Sequence, residues 1–258
     1  MSEIKTKVES DIEKTMKSWR LRTFMTVWVT YLAFYLGRVN IGIAKPFMMA
    51  EFGMDPATFG TIGTALFIMY AIGQFVNGQL GDKFGARRIV AIGLIVSAII
   101  NILMGFSLGI LWILIILWGI NGYFQSMGWA PSVKTVANWY PPDQRGKRSS
   151  RLATSYLTGG AVSWILATFL LTTLGLDWRF SFWVPGFIML ALGIHWYIRV
   201  RNAPEEVGLP TIEEQCDGIM EMGDCREDSH LGFKYTISTI IKNRTCLLYT
   251  SPSPRDRS

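Results

Sequence analysis

Six apolar stretches alternate with short charged loops along this chain, at about residues 21–43, 58–80, 89–107, 111–138, 152–174 and 179–199. Each is long enough to cross a ~30 Å hydrocarbon layer as a helix. Inside a bilayer every backbone N–H and C=O must find its partner within the protein, and a chain without alternating strand patterns meets that demand as helices. The composition agrees: half of the residues are hydrophobic and only 17% are charged, below the quarter usual in soluble domains. The pattern predicts an all-α polytopic membrane protein with six transmembrane helices.

The first stretch carries a contradiction. Tyr31-Leu-Ala-Phe-Tyr35-Leu-Gly-Arg38-Val-Asn40 places a guanidinium and two phenols within the membrane segment. An arginine at such depth costs about 2.5–3.5 kcal/mol on insertion scales and does not deprotonate. The six stretches contain no Asp or Glu, so no carboxylate within them can neutralise it. Phenols, amides and carbonyls remain, and a planar guanidinium suits bidentate binding of a phosphate or carboxylate. Arg38 is therefore the candidate anion-binding residue.

Lys and Arg collect on one side of the membrane: Lys5, Lys7, Lys14, Lys17, Arg20 and Arg22, then Lys83, Arg87 and Arg88, then Arg145, Lys147, Arg148 and Arg151, then Arg199 and Arg201. The other side has Lys45 and Arg179 near the span ends. The positive-inside rule predicts a multi-pass protein of the cytoplasmic (inner) membrane with a cytoplasmic N-terminus. The net charge of +6 is explained by these loops without nucleic acid. Residues 1–20 have no signal-peptide pattern. Ile4, Val8, Ile12, Met16 and Trp19 recur at helical spacing between lysines, which predicts an amphipathic leader on the cytoplasmic surface. Cys216, Cys225 and Cys246 match no zinc or redox spacing, and no cofactor is expected. His195 and His230 are the only histidines and belong to no nucleophile motif, which argues against an enzyme. His195 falls at the inner end of the sixth span, at the interface.

Other polar groups fall at informative places. Gln74 and Asn77 lie in the second span among small residues, as interhelical hydrogen-bonders do. The loop Gly78-Gln-Leu-Gly-Asp82-Lys-Phe-Gly85-Ala-Arg87-Arg88 follows, where glycines permit a tight turn and Asp82 is placed to cap the third helix. The fourth span holds Tyr123, Gln125, Ser126 and Trp129, more polar and aromatic than lipid contact favours. Lys134, a turn past Pro131, is the expected partner of Asp82.

That loop resembles the signature between the second and third spans of the major facilitator superfamily, with Ala86 in place of the usual first basic residue. Over about residues 19–245 the chain resembles the organophosphate:phosphate antiporters of that superfamily. The motifs are Tyr31…Tyr35-Leu-Gly-Arg38-Val-Asn40, Gly122-Tyr-Phe-Gln-Ser-Met-Gly-Trp129-Ala-Pro131 and Ala203-Pro204…Gly208-Leu-Pro210. The resemblance implies the amino-terminal half of a twelve-helix fold, with the carboxyl-terminal six-helix half as a partner missing here. It also implies that Arg38 binds substrate phosphate and that Tyr31, Tyr35, Gln125 and Trp129 line the pocket. Gly78, Asp82, Gly85, Arg87 and Lys134 form the loop motif that accompanies conformational change. Three positions depart from the family. Val39 stands where some members have a second cation, Gln74 where the glycerol-3-phosphate carriers have lysine, and Tyr156 where those carriers have histidine. Gln74 and Tyr156 are carried as substrate-site candidates despite that exchange.

The expected activity is exchange of a small organophosphate for inorganic phosphate by alternating access. The alternatives are a proton-coupled sugar-acid symporter and a transporter-like sugar-phosphate sensor. The expected organisation is a leader at 1–20, a six-helix bundle at 21–201, a linker toward the second half at 202–245 and a read-through tail at 246–258. The ending Cys246-Leu-Leu-Tyr-Thr-Ser-Pro-Ser-Pro-Arg-Asp-Arg-Ser258 resembles translated adaptor sequence and predicts a truncated gene product.

Overall fold

The computed structural model describes residues 2–212, with side chains from residue 10 onward. The expected tail and most of the expected linker lie outside the described residues. Helix α1 is Ser2–Phe52, α2 Pro56–Phe84, α3 Ala86–Gly105, α4 Leu111–Gln125, α5 Trp129–Trp139, α6 Pro142–Thr168 and α7 Phe180–Arg199. The last turn of α6 passes into a π-helical turn, Phe169–Thr173, and a 3-10 turn at Pro204–Val207 follows α7. Taking α4 and α5 as one crossing, six helical segments among the described residues are long and apolar enough to span a bilayer.

The boundaries differ from the hydropathy reading in two instructive ways. At 51 residues α1 would reach about 75 Å, far beyond the membrane core, and runs without a break from the charged leader into the first span. Met16 is buried on it, and Trp19 stacks on Trp139 with ring centroids 5.9 Å apart. The fourth span is two helices rather than one. Met127 and Gly128 donate back only three residues, to Phe124 and Gln125. Pro131 has no N–H to offer the Met127 carbonyl, so a regular ladder cannot pass this point.

Two connections show their local chemistry. Asp55 caps α2: its Oδ1 accepts from the amides of Ala57 and Thr58, and its Oδ2 from the Thr58 hydroxyl. The Thr58 hydroxyl, helped by these amides, holds the Asp55 carboxyl below the usual carboxylate range. Gly85 joins α2 to α3 at φ +81°, a region that favours glycine. The expected capping of α3 by Asp82 does not occur. Asp82 still belongs to α2, because that helix continues to Phe84, and α3 starts with no side-chain cap.

The helices pack chiefly as α3 on α7, α2 on α4, and α1 on both α6 and α7. Buried apolar side chains fall into two clusters. One includes α1 from Met16 to Leu36 with Leu94, Trp139 and Trp196. The other takes α1 from Ala44 onward with Leu66, Trp118 and Phe182. Between them α1 contributes Gly37, Arg38 and Asn40, so the apolar interior is divided by a polar layer. Helices α2 and α6 leave large apolar side chains uncovered, including Phe67, Phe75, Leu157 and Ile165.

Candidate functional site

Arg38 follows the only non-helical residue inside α1, Gly37, at φ −99° and ψ 15°. From there its guanidinium reaches across the bundle to the end of α4. Both Nε and Nη2 donate to Gln125 Oε1, at 3.2 and 3.1 Å. Two phenol rings meet the same cation: the Arg38 Cζ lies 4.7 Å from the Tyr35 ring centroid and 4.6 Å from that of Tyr70. Each such contact is worth about 0.5–2 kcal/mol, depending on how dry the site is. Among the described residues no carboxylate pairs with Arg38; the ion pairs there involve Lys14, Lys17, Lys134 and Arg179.

The aromatic wall extends from there. Trp129, the first residue of α5, lies 4.9 Å from Tyr31 between ring centroids, Tyr31 lies 5.9 Å from Tyr35, and Tyr35 lies 6.1 Å from Tyr156 on α6. Gln125 is fully buried, and its Nε2 has no hydrogen-bond partner. A buried amide donor without an acceptor is costly, so Gln125 is held in place at some expense by its contact with Arg38. Arg38 uses two of its five N–H donors on Gln125 and is only partly buried, so the rest of its fork is accessible. The site has what a small anion needs: a cation held in place with donors to spare, and aromatic walls.

Of the sequence-predicted residues, Arg38, Tyr31, Tyr35, Gln125, Trp129 and Tyr156 come together. Gln74 does not join them by any hydrogen bond or ring contact among the described residues; it is half-buried on α2. The neighbour that sequence reasoning missed is Tyr70. It stands four residues before Gln74, hence on the same helix face, and that spacing was the available signal. Asn101 was also missed. A lone amide in the apolar run Ile99-Ile-Asn101-Ile is itself a sign of a buried polar contact.

The loop residues form a separate cluster. Lys134 Nζ meets Asp82 Oδ1 at 2.5 Å, and both side chains are partly exposed. Arg87 donates from Nε to the Tyr197 carbonyl at 2.7 Å, with its Cζ 4.8 Å from that ring. Its amide donates to Asn202 Oδ1 at 2.9 Å, while Asn138 donates to the Asn202 carbonyl. Asn202 lies against Gly85 and thereby ties the α2–α3 turn to the segment after α7. Gly78 has open space where a side chain would point. At the opposite end of the bundle, Arg179 pairs with Glu51 at 2.6 Å, and the Trp178 indole donates to the same carboxylate.

Comparison with known proteins places this architecture. The family model of the Major Facilitator Superfamily matches residues 27–250. The chain belongs to the Major Facilitator Superfamily. Among its relatives is a probable hexose phosphate transport protein of Chlamydia pneumoniae, 36% identical over 203 residues, which are 79% of this chain and 44% of the relative. Another is the glycerol-3-phosphate transporter of Bacillus subtilis, 30% identical over 248 residues, 93% of this chain and 54% of the relative. These names agree with the resemblance to organophosphate:phosphate antiporters drawn from the motifs. A crystal structure of a bacterial homolog of the human lysosomal transporter Spinster superposes with a TM-score of 0.67 over 72% of this chain and 44% of that one, at 15% identity. That likeness shows the facilitator fold. The chain spans about half the length of the curated relatives it matches. It is thus an integral multi-pass membrane protein of a transporter family, not of an enzyme family.

Proposed function

We propose that this facilitator chain carries the anion site of an organophosphate carrier, which exchanges a small phosphorylated substrate for inorganic phosphate by alternating access. The observation that carries the reading is the environment of Arg38: a membrane-embedded guanidinium with no carboxylate partner among the described residues, held on one amide oxygen, with donors to spare. An anion offsets the cost of that charge from whichever side it arrives. An empty site leaves the charge unpaired, so reorientation without substrate is slow, and this favours exchange over net flow. The names of the relatives support a phosphorylated substrate.

In this reading the bundle at residues 21–201 works as the first of two six-helix halves that rock about a midplane site. The expected surface leader is instead the start of α1, which extends the first span into the cytoplasm, and residues 202–245 lead toward the second half, with the basic loops in the cytoplasm. The uncovered faces of α2 and α6 are available to that second half and to lipid.

The test is Arg38→Lys in the full-length carrier reconstituted into vesicles. A point charge replaces the fork, and most phosphate exchange is lost; undiminished exchange would refute the assigned role. Uptake driven by a pH gradient without phosphate inside would instead favour a proton-coupled symporter. Binding without flux would favour a sensor.

A further inference from the structure

The polar layer contains three asparagines, Asn40, Asn101 and Asn121, each fully buried. Two of them aim at one atom. The Gly37 carbonyl accepts from Asn101 Nδ2 at 3.2 Å and from Asn121 Nδ2 at 3.0 Å. Both amides are themselves fixed. Asn121 Oδ1 accepts from the Ser97 hydroxyl at 2.7 Å. Asn101 Oδ1 accepts from Asn40 Nδ2 at 3.0 Å, and Asn101 Nδ2 also reaches the Ser97 carbonyl at 2.9 Å. Asn40 is tied in turn to the Ser181 carbonyl at 2.8 Å. Helices α1, α3, α4 and α7 thus meet on a single backbone oxygen and its supports.

That oxygen belongs to the residue whose ψ of 15° departs from the helical value of about −42°. The rotation turns the carbonyl off the helix axis, and two amides are waiting for it. A helix bend where side chains capture a ladder carbonyl has an identifiable cause. A Cβ on residue 37 would press on Met189 Sδ and lie 2.6 Å from Asn101 Nδ2, so any side chain there displaces the capturing amide or Met189. Arg38 is the next residue, so the capture sets the direction in which its side chain leaves α1.

We infer that Asn101 and Asn121 are positioning residues: by capturing the Gly37 carbonyl they hold the bend of α1 that aims Arg38 at Gln125. Ser97 is the brace that keeps the Asn121 amide facing its target. The consequence for phosphate affinity rests on the exchange reading above, whereas the bend itself does not.

The experiment reads both. In the full-length carrier, with native cysteines replaced by serine, spin labels are attached to cysteines at Leu21 and Phe47. Both are exposed positions of α1, one on each side of Gly37. The expected result is that Asn101→Leu and Asn121→Leu each move the label distance outside the width of the wild-type distribution. The KM for phosphate rises about tenfold, as one lost hydrogen bond implies, while the rate at saturating phosphate changes by less than about twofold. Ser97→Ala, a smaller change that removes only the brace, gives the same direction at about threefold and covers the case in which a leucine variant fails to fold. Asn77→Leu is the control: that buried asparagine donates to the Tyr123 carbonyl and the Ser126 hydroxyl, away from Gly37, and the label distance stays at the wild-type value. Unchanged distances in the Asn101, Asn121 and Ser97 variants would overturn the inference, as would an equal shift in the control. A wild-type carrier without phosphate exchange would end the exchange reading, while the label distances would still decide the bend.

Discussion

Arg38 commits both Nε and Nη2 to a single acceptor, Gln125 Oε1, although the opposite nitrogen of that amide has no partner. That side chain therefore restrains the cation from a fully buried position. Gln125→Glu tests the restraint. The new carboxylate pairs with Arg38 within the membrane and takes the place of a substrate anion. Phosphate exchange in vesicles is expected to fall at least about tenfold, a change of ~1.4 kcal/mol, with no loss of thermal stability. Retained exchange would show that Arg38 meets the anion from another direction.

Tyr70 tests the aromatic clamp. Tyr70→Phe keeps the ring face over the guanidinium and should hold phosphate KM close to wild type. Tyr70→Leu removes it and is expected to raise KM by about 2- to 30-fold, the range of ~0.5–2 kcal/mol for a cation over an aromatic face. Equal effects of the two substitutions would assign the contribution to the hydroxyl.

Asp82 and Lys134 join α2 to α5 from partly exposed positions. Solvent screening limits such a pair to about 0.2–1 kcal/mol, so Asp82→Asn alone should shift the unfolding midpoint only slightly. The informative variant exchanges the two charges. If the pair controls conformational change, the exchanged pair recovers transport lost in either single variant. Failure of the exchange to recover it would leave the contact as ordinary surface pairing.

Gly37 and Gly42 lie less than two turns apart on α1 and make opposite predictions. Gly37→Ala forces a methyl against Asn101 and Met189 and should cost about 1–3 kcal/mol of stability. Gly42 has nothing within 4 Å of where its Cβ would lie, so Gly42→Ala should stabilise the helix by up to about 1 kcal/mol. Thermal unfolding in detergent distinguishes them.

The six crossings were legible because hydropathy is a property of each segment alone. The interruptions were not, because they depend on partners. Pro131 announced that a backbone bond would be missing, but not that Gln125 would meet Arg38 at the break or that Gly128 would pack on Phe34. Gly37 carried no sign of its bend until Asn101 and Asn121 were beside it. In the site, Arg38 stood out by its cost, and Tyr31, Tyr35 and Trp129 by their neighbours in motifs. Tyr70 lay in a span whose polar residues drew attention away from it. Asp82 shows a local rule losing to a tertiary contact: an acid near a helix start is a natural cap, but α2 runs two residues past it and Lys134 takes the charge.

The division of the apolar interior into two clusters gives the bundle two storeys, with α1 passing through both and an asparagine floor between them. Helices α3 and α7 also contribute side chains to both storeys. Hydrogen exchange is expected to separate amides above the floor from those below it, and a single exchange unit would show that the shared helices couple the two storeys. The floor, with Arg38 upon it, is the layer where the two storeys meet.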